Sequence, residues 1–592
     1  MQTLIDILRD NAACSDRGIT FVRASGEERA VAYDELFSIA CRRAHALMAL
    51  GLKKGDRVAI VLHDPEEFVL TFLGALTAGI VAVPIYPPAT MAKMEAYGET
   101  VRHVLASSGA SVLVTSEALA PMLATHLLGE DLDHEKPAFS TRLVLEKDLR
   151  GEGLSESAPT TIAPGDLAFL QFTSGSTSRP KGVLVTHENL AANSRAIMDD
   201  GLKATSDDRG VCWLPLYHDM GLIGFVIAPL FRRVSVMFLP TASFIRRPSL
   251  WLDAIHRFRA TISFAPNFAY ALATRAVLER QTTNWDLSCV RVLGCGAEPI
   301  QADVLRAFAK RFAAQGLKAE TLLPCYGMAE ATLAITFHEL GAPLKTDRVC
   351  AESMRDGVAK PMLNGGASLE LVGCGKPFTK HELIIVGEGG ERVSDRMIGE
   401  VWFRGPSVTK GYFGDAVATA AAFDAKGEGW LRTGDLGYLA DGELFICGRC
   451  KDLIILNGKN HFPEDIERVV SKVEGVRDNQ CVAFSRLDSA GAEIAVVVAE
   501  GRRGGVEAEA IARAVAQAVR AEAGVVISEV HLIKRGTLPK TSSGKVRRRE
   551  TQRRLEHGEL EMINDSSPPP APIGEAACGG KSTNEGVSDG VE

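Results

Sequence analysis

What this 592-residue sequence lacks narrows its function before any motif is read. Its 12 cysteines are scattered from Cys14 to Cys578 without regular spacing, and a chain this long does not need covalent staples. A disulfide scaffold is excluded, and a reducing compartment, the cytoplasm, is expected. Charge of one sign is also missing. Lys and Arg number 66 against 74 Asp and Glu, a net charge of -8, so the whole molecule has no electrostatic reason to bind nucleic acid or an anionic membrane. Any anion must be gripped locally. Nor is there an unbroken apolar run of spanning length. Phe68 to Ala92 carries no charged side chain, but Gly74, Gly79, Pro84, Pro87 and Pro88 interrupt it. It reads as a buried helix to Gly79 and then a short strand, IVAVPI, so no membrane span is expected. The opening MQTLIDILRDNAACSDRG lacks the basic start and apolar centre of a secretory signal. No internal repeat of fixed period is present.

What is present reads as a multidomain globular protein, 46% hydrophobic and 24% charged. Up to residue 340 strand-like runs (RVAIVL, IVAVPI, SVLVT, RLVLE) alternate with helical patterns such as PEEFVLTFLGALTAG. That alternation predicts an α/β fold of layered subdomains with largely parallel sheets. After residue 365 shorter strands (HELIIVG, GEVWFRG, GELFICGR) between Gly and acidic turns predict a smaller β-rich subdomain. From Lys451 a compact α+β unit is expected. The last stretch is rich in Pro, Gly and Ser, with too few apolar residues to fold. The expected division is 1–450, a mobile 451–562 and a disordered tail, 563–592.

The strongest local signal is TSGSTSRPKGV, Thr173 to Val183. Its small residues let backbone N–H groups approach an anion. The hydroxyls of Thr173, Ser174, Ser176 and Thr177 can donate to phosphate oxygens around Gly175, and Lys181 adds positive charge. The glycine and lysine spacing of the NTPase P-loop is absent. Further strings follow in order: WLPLYHDMGLIG (213–224), SFAPNFAYAL, GCGAEPI (294–300), CYGMAEAT (325–332), WLRTGDLGY (430–438), CGRCKDLIILNGKNHFPEDIE (447–467) and LPKTSSGKVRR (538–548). This ordered series resembles the adenylate-forming superfamily of acyl-CoA synthetases, luciferases and peptide-synthetase adenylation domains.

The resemblance implies roles that the residue chemistry can support. Asp435, expected just after a strand, would accept the ribose hydroxyls, with the planar fork of Arg449 on ribose or phosphate oxygens. Tyr326 would stack on adenine, Gly296 and Ala297 would line its other face, and Gly327 and Ala329 would belong to the same nucleotide site. Glu330 would hold magnesium through a hard oxygen ligand. Lys545 would bridge the substrate carboxylate and the α-phosphate, and His218 would stand at the mouth of the acyl pocket. Lys451 would be the hinge about which the small domain turns. Cys447 and Cys450 form a CxxC, but no second pair accompanies it, and a metal site is not expected there.

LPLYHDMGLIG, YGMAEATL and VGCGKP (372–377) look like fatty acyl-AMP ligases. So does the long, polar, strand-poor link from Glu339 to Leu371, which in those ligases restrains the C-terminal domain and disfavours CoA. The implied reaction turns a fatty acid and ATP into acyl-adenylate and pyrophosphate. The acyl group then passes to the phosphopantetheine thiol of a separate acyl carrier protein, since no carrier serine motif is present. The alternatives are an acyl-CoA synthetase and a non-catalytic acyl- or nucleotide-binding scaffold.

Overall fold

The computed structural model describes residues 2–88, 94–128, 141–173, 180–362, 368–423, 427–456, 459–488, 493–502, 508–541 and 544–563. The expected tail beyond Ile563 and the loop residues Ser174, Gly175, Ser176 and Thr177 lie outside them.

The fold is mixed α/β. A six-stranded sheet runs Arg142–Leu145, Val112–Thr115, Arg57–Val61, Val81–Pro84, Leu167–Thr173, Lys181–Thr186. It is parallel except at its end, where Lys181–Thr186 folds back antiparallel on Leu167–Thr173 with Thr173 opposite Lys181. A nine-stranded sheet has a parallel centre: Leu322–Gly327, Val292–Cys295, Ile262–Ala265, Arg209–Cys212, Ser235–Phe238 and Gly18–Val22. Its edges are antiparallel. Burial explains the apolar strands: Val112–Thr115, Ile262–Ala265 and Val292–Cys295 are covered on both faces, so no polar alternation is needed.

The charge-free run folds as its breakers predict. Asp64 caps the helix Pro65–Thr77 by accepting from the N–H groups of Glu66 and Glu67, and almost every side chain of that helix is buried. Gly79, at φ +70°, turns the chain into the strand Val81–Pro84. Among the described residues no helix is long and apolar enough to cross a membrane.

A four-stranded antiparallel sheet follows, Glu382–Val386, Gly399–Arg404, Leu431–Ala440, Glu443–Arg449. Beyond it Val476–Leu487, Glu493–Gly501 and Ile527–Ile533 form a three-stranded sheet. The helices Pro463–Val470 and Ala508–Glu522 pack into its apolar core through Ile466, Val470, Val515 and Val519.

The link 339–371 contains more structure than its polar composition predicts. Thr346–Cys350 pairs antiparallel with Ser368–Val372, and Ala351–Arg355 is a short helix between them. Val349, Met354 and Leu369 supply the buried side chains that hold it. Its Arg355 donates to the Ala523 carbonyl, at the far end of the helix Ala508–Glu522. The link therefore touches the last compact unit directly.

Candidate active site

Neighbouring strands of the four-stranded sheet bring Asp435 opposite Arg449. Arg449 Nε lies 2.9 Å from Asp435 Oδ1. The other oxygen, Oδ2, accepts from Tyr326 Oη at 2.6 Å. Asp435 is buried while Arg449 keeps half of its surface in water, so the guanidinium has an open side. The Tyr326 bond to the buried carboxylate contributes about 1.5–3 kcal/mol and ties the strand Leu322–Gly327 of the nine-stranded sheet to the four-stranded one. Asp435 lies inside the strand Leu431–Ala440, not after it as expected. The reason is local: Gly434 takes φ +72° and the pairing register shifts between Leu436 and Gly437, so the strand bends around the carboxylate without ending.

Beside this cluster Gly296 follows the strand Val292–Cys295 and lies against Cys325. A Cβ at Gly296 would stand 2.6 Å from the Cys325 sulfur, closer than any side chain is tolerated. Ala297 is exposed in the left-handed region, φ +68°. Gly327 is held as tightly on the other side, where a Cβ would come 2.0 Å from the Leu333 carbonyl oxygen. Gly296, Ala297, Tyr326 and Gly327 thus form one lip of small residues and a ring, with Ala329 buried behind.

Glu330, on the short turn Ala329–Ala331, is buried. The loop that follows Arg404 braces it. Thr409 donates to the Glu330 carbonyl through both its N–H and its hydroxyl, each at 3.0 Å. Tyr412 Oη donates to the carboxylate Oε1 at 2.7 Å. Thr332, fully buried at φ +69°, donates to the Ser407 carbonyl at 2.6 Å, which stabilises a backbone conformation that a β-branched residue rarely adopts. Burial raises the Glu330 carboxyl above its ordinary value, so a cation at this site would offset the cost of its charge. A buried carboxylate with one oxygen already engaged fits magnesium, which prefers hard oxygen ligands and few of them from protein.

Lys181 is half-exposed. Its ammonium lies 5.1 Å from the centre of the Tyr412 ring and 3.8 Å from Asp415 Oδ2. Lys181 therefore stands beside the tyrosine that braces Glu330.

Lys545 comes from the far end of the chain and enters the same cleft. Its side chain is exposed to solvent, and its charge acts on Arg449, Asp219, Glu298 and Asp435. Burial and then the charge of Arg449 lower its pKa; Asp219, Glu298 and Asp435 oppose that shift. His218, which precedes the turn Asp219–Gly221, is pushed down to about 3 by burial and then by Lys545, so its imidazole is neutral. Burial raises the carboxyls of Asp219 and Glu298, and Lys545 is the leading charge that counters it at Asp219. Glu298 Oε1 also accepts from the Phe268 N–H at 2.6 Å.

The cleft thus unites the predicted Lys545, His218, Tyr326, Glu330, Asp435 and Arg449. Sequence reasoning missed Asp219, Glu298, Thr409 and Tyr412. The first two stand inside the strings YHDMG and GAEPI and were readable as carboxylates beside named site residues. Nothing in the spacing marks Thr409 or Tyr412. Lys451 is exposed, two residues past the strand that ends at Arg449. Its neighbour Asp452 accepts from Arg548 at 2.8 Å, and the same guanidinium donates to Glu467 at 2.7 Å and to the Ala483 carbonyl at 2.8 Å.

Residues 8–413 match the family described as AMP-binding enzyme, and residues 451–565 match that described as Disco-interacting protein 2-like, AMP domain. The chain is 37% identical to a putative acyl-CoA synthetase of Caulobacter vibrioides, over 91% of this chain and 93% of that one. It is 35% identical to the long-chain-fatty-acid–AMP ligase FadD26 of Mycobacterium tuberculosis, over 87% and 90%. A solved structure from a study of fatty acyl-adenylate ligases of E. coli and L. pneumophila superimposes with a TM-score of 0.86 at 35% identity, covering 94% of this chain and 98% of that one. A fatty acyl-adenylate ligase from L. pneumophila, solved with acyl adenylate and pyrophosphate, gives 0.71 at 30% identity over 95% and 97%. By sequence and fold, the chain belongs to the AMP-binding enzyme family.

Proposed function

We propose that the protein is a fatty acyl-AMP ligase. It activates a fatty acid with ATP to acyl-adenylate, releases pyrophosphate, and delivers the acyl group to the phosphopantetheine thiol of a separate acyl carrier protein. The observation that carries this reading is the cluster in which Asp435 is held by Tyr326 and Arg449, with Glu330 braced by Tyr412 and the charge of Lys545 acting on Arg449, Asp219 and His218.

On this reading each residue has a task. Asp435, fixed by Tyr326 and Arg449, accepts the ribose hydroxyls, while the free edge of Arg449 faces nucleotide oxygens. The lip of Gly296, Ala297 and Gly327 admits the flat adenine against Tyr326. Thr173 and Lys181 begin and end the grip on the phosphates, with Ser174 to Thr177 between them. Glu330 would hold magnesium, which neutralises charge on the departing phosphates when bound. Lys545 draws the carboxylate and the α-phosphate together and offsets the charge that builds as oxygen attacks phosphorus. His218, neutral, presents a dipole at the entrance of the acyl pocket and so orients the substrate carboxylate without trapping it as an ion pair. Rotation of 451–562 about Lys451 would withdraw Lys545 after adenylation and admit the thiol, with 1–450 as the fixed body.

The preference for a carrier over CoA rests on Arg355. By fastening the link 339–371 to the Ala523 carbonyl, it favours the pose that makes adenylate over the pose that would admit free CoA. The acyl-CoA synthetase reading is supported by the name of the Caulobacter relative. The eleven described cysteines are all free thiols, in keeping with the cytoplasm as the working compartment. The deciding experiment measures fatty-acid-dependent pyrophosphate exchange and product with and without CoA. Acyl-AMP without CoA thioester is expected, and rapid acyl-CoA formation would replace the ligase reading with the synthetase one.

A further inference from the structure

Tyr412 belongs to none of the motifs that carry the nucleotide site, yet it is fixed with unusual care. The backbone around it is paired to the strand that starts at Lys181. Leu184 N–H donates to the Gly411 carbonyl at 2.9 Å, Phe413 N–H donates to that of Gly182 at 2.8 Å, and Tyr412 itself bridges Val183. Its own N–H donates to Thr419 Oγ1 at 3.0 Å, and its ring packs edge-on against Phe423, centroids 5.4 Å apart. The hydroxyl so positioned meets Glu330 Oε1 at 2.7 Å.

We propose that Tyr412 is a positioning residue that sets which divalent cation the Glu330 carboxylate accepts, by occupying one of its two oxygens. The inference rests on the assignment of Glu330 to the cation, given above. A carboxylate with both oxygens free can chelate, the arrangement that calcium tolerates at its longer metal–oxygen distances. A carboxylate with one oxygen held by a phenol offers a single strong donor, which suits the compact octahedron of magnesium. Thr409 holds the Glu330 backbone and leaves the carboxylate untouched, so the two contacts separate holding the loop from shaping the ligand. The ring of Tyr412, against Phe423 and beneath Lys181, supplies the packing; the hydroxyl alone supplies the selectivity.

The test is calorimetric titration of ATP into the full-length protein with magnesium chloride or calcium chloride as the sole divalent salt. Tyr412→Phe keeps the ring and removes the hydroxyl. The ratio of ATP affinity in magnesium to that in calcium is expected to fall roughly tenfold in this variant, on the scale of other second-layer partners of metal ligands. Thr409→Val, which loosens the loop, is expected to weaken both affinities together and leave the ratio unchanged. An unaltered ratio in Tyr412→Phe, with wild-type ATP binding still dependent on the cation, overturns this inference alone. ATP binding indifferent to both cations in the wild type removes the cation role of Glu330 and the inference with it. Equal loss of ratio in both variants also overturns it, since selectivity would then follow loop order and not the hydroxyl.

Discussion

Asp435 and Arg449 face each other across adjacent antiparallel strands, 2.9 Å apart, with the carboxylate buried and the guanidinium half in water. The asymmetry is what a binding site needs: the acid is fixed, and the base still has donors to offer. Replacing Asp435 with Asn removes the charge that holds Arg449 and weakens the acceptor for Tyr326. ATP affinity, read by equilibrium titration, is expected to fall by about 10–100-fold, or about 1.4–2.8 kcal/mol. Wild-type affinity would deny the aspartate a place in nucleotide binding.

Lys545 supplies a pH signature. Its pKa lies below the ordinary lysine value of 10.5 because burial and Arg449 disfavour the charged form. If the charged amine is the working form, activity is lost as pH rises through that lowered pKa, so the alkaline limb of kcat/KM should begin below pH 10.5. Lys545→Arg, with its guanidinium always charged, should abolish that limb even if the rate falls. Lys545→Ala should end pyrophosphate exchange while ATP still binds, and normal exchange in that variant would refute the lysine's role.

Gly327 tests the lip. A methyl group there would meet the Leu333 carbonyl oxygen at 2.0 Å, and backbone cannot step aside as a side chain does. Gly327→Ala should cost about 2 kcal/mol or more of stability, visible as a lower denaturation midpoint, and should weaken ATP binding as well. A variant as stable as the parent would mean that the two loops are free to separate.

Arg355 tests the choice of acceptor. With Arg355→Ala the link loses its bond to the Ala523 carbonyl, and the terminal unit should rotate more freely. Supplying CoA should then yield severalfold more acyl-CoA than the parent makes, at an unchanged rate of adenylation. No gain in thioester would show that the link does not restrain the terminal unit.

Much of this was legible in the sequence because strand burial and motif order are local signals. RVAIVL, SVLVT and GELFICGR each became the strand they promised, and Lys545 was marked by LPKTSSGK more than 90 residues past Arg449. What escaped reading depended on tertiary contacts. The hairpin in 339–371 is made by Val349, Met354 and Leu369 finding a common core, and no strand-rich run announces it. Tyr412 carries no signal of its own until folding sets its hydroxyl beside Glu330. Asp435 was expected after a strand, whereas Gly434 bends the strand without ending it.

The placement of Lys545 also bears on the order of events on the ribosome. The residues proposed to grip the nucleotide, from Thr173 to Arg449, emerge well before the lysine proposed to drive the chemistry. On the proposed roles, a growing chain is first a nucleotide binder and becomes a catalyst only once Lys545 has been made. On the same roles, a chain cut before Lys545 would hold ATP without making the reactive mixed anhydride.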